Sequence, residues 1–153
     1  MLTGSSFTRF LHLINGTPFD WYWKKQSTVE TATYGSEFTA ARIAINQIIE
    51  HRTMLCYLGV PIVGKTYMFG DNKSVVDCSS FPQSKLHKRH TALSFHRVRE
   101  AIAAKIILFT HLPGKKNPAD ILSKHWPYHK VWKMLQPLLF YQGDTSTLIE
   151  DEP

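Results

Sequence analysis

The chain has 153 residues, 43% of them hydrophobic and 20% charged, with a formal net charge of +6 and a pI near 9.4. The length suits one ordinary domain, the composition excludes an intrinsically disordered chain, and the surplus of cations favours a polyanionic partner. It contains no run of 18 apolar residues, its first apolar patch is too short and interrupted for a signal peptide, and Cys56 and Cys78 are too few for a disulfide framework, so an intracellular protein (cytoplasm or nucleus, not secreted, no membrane partner) is expected.

In chain order, SFTRFLHLING (6–16) roughly alternates and ends at Asn15-Gly16, a hairpin signal, and the aromatic-rich TPFDWYWKKQ (17–26) reads as the returning strand. From Thr33 to Leu58 the period becomes helical, with Ala41, Ala44, Ile48 and Leu55 near one face, and Gly59 and Pro61 close it. KTYMFGD (65–71) reads as a short buried strand, and Lys73 to Cys78 as a helix-compatible segment after it. Lys85 to Lys105 reads as one helix, free of Gly and Pro, and IILFTHL (106–112) as a second buried strand. PGKKNP is a turn, ADILSKH a helical start, and YHKVWKMLQPLLF an amphipathic helix in which Pro137 predicts a kink. A hairpin followed by alternating helices and strands predicts an α/β domain over residues 1–143, its later strands parallel. The acidic tail, 144–153, is expected to be disordered.

Charge and chemistry concentrate in a few places. SKLHKRHTALSFHRVR (84–99) holds Lys85, Lys88, Arg89, Arg97 and Arg99 with no acid, which reads either as a solvated face or as a nucleic-acid contact. Its histidines, His87, His90 and His96, allow a zinc reading, but no cysteine pair or second histidine-rich segment completes a tetrahedron. Trp21, Tyr22 and Trp23 are read as core and edge packing ahead of a stacking role.

Three carboxylates carry the sharper reading. Glu37 is placed in the first turn of the long helix, and the series 37, 41, 44, 48 puts it on the apolar stripe, where an acid must be neutralised, paired or metal-bound. Asp71 closes a strand and Asp120 opens a helix, positions at which a carboxylate commonly caps or faces the helix dipole. Taken together, acids from several elements converging at strand ends make an oxygen-ligand site suited to Mg²⁺ or Mn²⁺.

Four stretches then resemble five successive blocks of one family. DWYWKKQSTVETATYGSEFTAAR, GDNKSVV, KLHKRHTALSFHRVREAI and NPADILSK look like the successive W-x-S-K-K-Q, T-E-A-E-Y, D-N-x-S-A, basic-helix and A-D-x-x-T-K blocks of the ribonuclease H domain of copia-type retrotransposon polyproteins, over about residues 3 to 126. The resemblance implies a ribonuclease H-like mixed sheet flanked by helices. It also implies Mg²⁺- or Mn²⁺-dependent hydrolysis of the RNA strand of an RNA–DNA hybrid, and a reverse transcriptase domain of the same polyprotein as partner. It makes Glu37, Asp71 and Asp120 the catalytic, metal-binding carboxylates. The hybrid's backbone and 2′-hydroxyls would fall to Asn72, Ser74, Lys85, Lys88, Arg89, Arg97, Lys115 and Lys116.

The sequence departs from the family at two points. The family's first, central strand and its catalytic Asp have no counterpart here, and Asp20 lies in the wrong block to replace it. The expectation is a truncated domain with an open strand edge, poorly stable alone and weakly active or inactive. The family's histidine before the last Asp is also absent. Lys115 and Lys116 stand there instead, and neither His111 nor His125 falls at the matching position. The alternative function is a catalytically inactive nucleic-acid-binding remnant. An integrase-like phosphotransferase shares the expected architecture, but the glutamate of SEFTAAR resembles ribonuclease H instead.

Overall fold

Asn15 and Gly16 both take positive φ, 51° and 81°, the geometry of a two-residue turn whose twist matches that of the strands it joins. The turn links β1 (Phe7–Ile14) to β2 (Thr17–Lys25) in a two-stranded sheet. The computed structural model describes residues 7–26, 33–83, 91–123 and 125–139. After the hairpin come α1 (Thr33–Tyr57), β3 (Thr66–Gly70), α2 (Lys73–Ser80), α3 (Ala92–Ala103) and β4 (Ile107–His111). Two 3-10 turns, Gly114–Lys116 and Pro118–Ser123, lead into α4 (Tyr128–Leu139), which carries Pro137 inside it. Over the described residues the fold is mixed α/β, with four α-helices and small sheets.

Two compact units are present, one formed within Met1–Thr8 and Lys24–Asn117, the other within Arg9–Trp23 and Pro118–Pro153. In the first, β3 and β4 run parallel, Thr66 opposite Ile107 and Gly70 opposite His111. The connection between parallel strands requires a crossover, and α2 and α3 provide it. The core of this unit gathers Phe38, Ala41, Ile45 and Ile48 of α1, Val75 and Val76 of α2, Phe95 and Val98 of α3, and Ile107 and Phe109 of β4. Phe38 and Phe95 meet edge to face at 5.7 Å, a favoured geometry for rings whose edges are positive and faces negative.

Both long helices of this unit stop by the same device. At the end of α1, Val60 N–H donates to the Leu55 carbonyl and Gly59 N–H to that of Cys56, with Gly59 at φ 75°. At the end of α3, Ile106 N–H donates to Ala101 and Lys105 N–H to Ile102, with Lys105 at φ 58°. Each is a Schellman cap, which satisfies carbonyls that the finished helix leaves orphaned. A lysine there bears the Cβ strain that glycine avoids.

In the second unit Phe10 stacks on Tyr22 at 4.8 Å, and Tyr128 on Trp132 at 6.0 Å. Lys130 lies over the Trp126 ring at 5.9 Å.

The strands form two two-stranded sheets among the described residues, β1 with β2 and β3 with β4. Two expectations need correction. β3 and β4 are covered on one face only: Ile107 and Phe109 are buried, while Tyr67, Phe69 and Leu108 are exposed, because the apolar residues of both strands outnumber the positions that face the helices. Trp21 and Trp23 are exposed at 68% and 55%, and of that aromatic trio Tyr22 is the half-buried member. α3 starts at Ala92. Residues 84–90 of the expected helix lie outside the described residues, as does the acidic tail. Among the described residues no helix is long and apolar enough to cross a membrane.

Candidate acidic site at the end of the parallel strands

Asp71 follows directly on the last residue of β3, at the carboxyl end of a parallel pair. Open α/β sheets place ligands at such ends, since side chains there project past the sheet into solvent. The approach of the chain to this point depends on Gly70. A Cβ at that position would lie 2.9 Å from the Phe109 ring, closer than real contacts allow, so only glycine lets β3 close onto buried Phe109.

The capping role open to Asp71 falls instead to its neighbour. Asn72 is the cap of α2: its Oδ1 accepts from Ser74 N–H at 3.0 Å and from Val75 N–H at 3.4 Å. Asp71 is exposed, and the helix does not use its carboxylate as a cap. The same geometry gives Asn72 and Ser74, expected at a nucleic acid, a structural bond to each other.

Two groups at the carboxyl end of β4 hold the backbone around Asp71. The His111 Nε2 lies 3.1 Å from the Asp71 backbone carbonyl, and Leu112 N–H donates to the Gly70 carbonyl at 2.8 Å. A methyl group on Gly114 would stand 3.7 Å from Asp71 Oδ2, so the absence of a side chain at Gly114 keeps that flank of the carboxylate open. Lys115 and Lys116, exposed on the same short turn, put two cations in the segment that passes the acid.

Glu37 is half-buried on α1, within the stripe of Ala41, Ala44 and Ile48 that the spacing predicts. It stands one residue past the first turn, Thr33 to Ser36, which carries no acid. Arg97 is held by Asn46 Oδ1 at 3.2 Å and by Glu100 Oε2 at 2.9 Å, a partnered geometry in place of an outstretched one. Arg99 donates to the Pro82 carbonyl at 2.9 Å and lies 5.3 Å from the Phe95 ring centre. Lys85, Lys88 and Arg89, like His87 and His90, lie outside the described residues, while His96 is exposed on α3.

Asp120 belongs to the second unit and has a different setting. Its Oδ1 accepts from the Arg9 guanidinium at 3.1 Å, with both side chains about one-third exposed, and its backbone carbonyl accepts from Trp126 Nε1 at 3.1 Å. Sequence reasoning missed Arg9 and Trp126 as its partners, and His111 as a partner of Asp71. For Arg9 the signal was present: a cation flanked by apolar residues on a strand favours a counter-ion.

As donors, the carboxylates of Asp71 and Glu37 fit a hard divalent cation. Within neither unit do three His, Cys, Asp or Glu ligand atoms of the described residues lie within 4.8 Å of one another, so neither unit alone holds a gathered trio. Cation binding at Asp120 would compete with Arg9. Elsewhere in the first unit, burial and then a hydrogen bond with Cys78 push the Tyr34 phenol far above its ordinary range, so it stays protonated and offers no base at neutral pH.

Comparison with known protein families, with curated proteins and with solved structures finds no match.

Proposed function

We propose that the chain is a retrotransposon-derived ribonuclease H domain with a ribonuclease H-like fold. It hydrolyses the RNA strand of RNA–DNA hybrids with Mg²⁺ or Mn²⁺, and the reverse transcriptase domain of the same polyprotein is its natural partner. Support comes first from the family-like blocks of the sequence. The structural observation that carries the reading is Asp71: exposed, relieved of capping by Asn72, and beside a turn bearing Lys115 and Lys116. That is how a carboxylate would be presented to a cation and a polyanion together.

Asp71 would hold the divalent ions, with Glu37 and Asp120 as further ligands. The ions would supply an activated water and stabilise the leaving oxygen. Lys115 and Lys116 would bind the phosphate backbone near the acid, and Gly114 would keep the approach clear. The Arg9–Asp120 pair favours a second reading, a nucleic-acid-binding remnant without catalysis, since it neutralises one proposed ligand.

The test is cleavage of a labelled RNA–DNA hybrid in Mn²⁺ by this chain beside its Asp71→Asn variant. Weak cleavage by the parent that falls to background in the variant is the expected result, and full cleavage would mean that no further carboxylate is needed. A folded parent that does not cleave, yet binds the hybrid with steep salt dependence, would establish the second reading.

A further inference from the structure

Asp71 lies between two peptide groups, and each is tied to β4. The carbonyl before it, Gly70, accepts from Leu112 N–H at 2.8 Å, and its own carbonyl faces His111 Nε2 at 3.1 Å. A carbonyl oxygen only accepts, so Nε2 must carry the proton of this bond. The first bond fixes the peptide plane on the amino side of the Asp71 Cα and the second fixes the plane on the carboxyl side. Together they set φ and ψ at Asp71, and with them the direction of its Cα–Cβ bond. The Leu112 bond continues the parallel ladder and survives any side-chain change. The His111 bond is made by a side chain alone, just before Asn72 turns the chain into α2.

We infer that His111 is a positioning residue, which aims the Asp71 carboxylate by holding the backbone on its carboxyl side. The inference rests on the proposed role of Asp71 as a cation ligand and adds to it a residue that no motif marks. His111 sits opposite Gly70 in the register, so its ring is placed by β4 and not by the mobile end of a long side chain. Exposed at the strand end, it contributes little to the core. Loss of its bond therefore loosens the acid without unfolding the unit.

The experiment measures Mn²⁺ binding to the whole chain by calorimetry or electron paramagnetic resonance, and thermal unfolding without metal, for the parent, His111→Ala, His111→Gln and Asp71→Asn. A glutamine side-chain nitrogen reaches about as far as Nε2 and donates in the same way. The expected result is a Kd about tenfold weaker in His111→Ala, in line with outer-shell partners of metal ligands. His111→Gln should recover most of it, with the melting temperature unchanged throughout. Parent-like binding by His111→Ala, where Asp71→Asn has lost the ion, overturns the positioning role alone. A melting temperature that falls in step with affinity, unrelieved by glutamine, also overturns it in favour of a structural role. Parent-like binding by Asp71→Asn removes the cation reading of Asp71 itself, and this inference with it.

Discussion

Asp71 and Asp120 are the same residue type, expected from sequence to do the same work, and the structure treats them differently. Asp71 leaves capping to Asn72, keeps an open flank at Gly114 and has its backbone held from both sides. Asp120 sits against a guanidinium at 3.1 Å, with an indole bonded to its carbonyl. One carboxylate is presented to solvent and the other is already neutralised. An acid at the start of a helix is thus not one kind of site, because the residues that satisfy the helix decide whether its charge remains available to a ligand.

The largest expected effect tests how far the Asp71 end depends on the packing beneath it. Gly70→Ala places a methyl group 2.9 Å from the ring of Phe109, which is buried with nowhere to swing. Overpacking of this kind costs about 1–3 kcal/mol, and a urea titration should show it as a lowered midpoint. The same substitution at Gly114, where the new methyl would make an ordinary contact at 3.7 Å, should leave the midpoint close to the parent's. If the two glycines respond alike, the claim that the Asp71 end is fixed by close approach of β3 to Phe109 is wrong.

Much of this was legible in the sequence. The hairpin turn, α1 with its glycine stop, both parallel strands and α4 follow from periodicity and from Gly and Asn placement, since those signals act within a few residues. The three carboxylates could be named from their positions, but their surroundings could not. Arg9 meets Asp120 across 111 positions of chain and His111 meets Asp71 across 40, and no local pattern encodes such pairings. The burial of β3 was misjudged for a related reason. Tyr67, Met68 and Phe69 are all bulky, and only the tertiary arrangement determines that Met68 alone of the three is half-buried while its neighbours stay exposed. That Asn72 caps α2 in place of Asp71 was not legible either, because adjacent residues of similar capping strength differ only in backbone placement.

A smaller effect separates stability from site geometry at the Asp71 end. Lys105 holds φ 58° in the cap that turns α3 into β4, the conformation Gly59 supplies at the end of α1. Lys105→Gly removes the Cβ strain at some cost in unfolded-chain entropy, a net gain of about 0.5–1 kcal/mol. A raised melting temperature with unchanged Mn²⁺ affinity is expected. An altered affinity would mean that the entry to β4, and not only its His111 end, sets the aim of Asp71.

The smallest stability change belongs to the Asp120 end and bears most directly on the contrast between the two acids. Arg9 and Asp120 are each about one-third exposed, so their ion pair is screened by water and contributes only about 0.2–1 kcal/mol. Arg9→Met keeps an unbranched side chain on β1 and removes the charge, so the melting temperature should move little. The Asp120 carboxylate then loses its competing cation. On the proposed reading Mn²⁺ should bind up to about fivefold more tightly, the ratio to which a 1 kcal/mol competitor corresponds. Adding Asp120→Asn to Arg9→Met should abolish that gain. If Arg9→Met leaves Mn²⁺ affinity where it was, Asp120 is a structural partner of Arg9 and not a ligand, and the proposed cation chemistry rests on Asp71 and Glu37 alone.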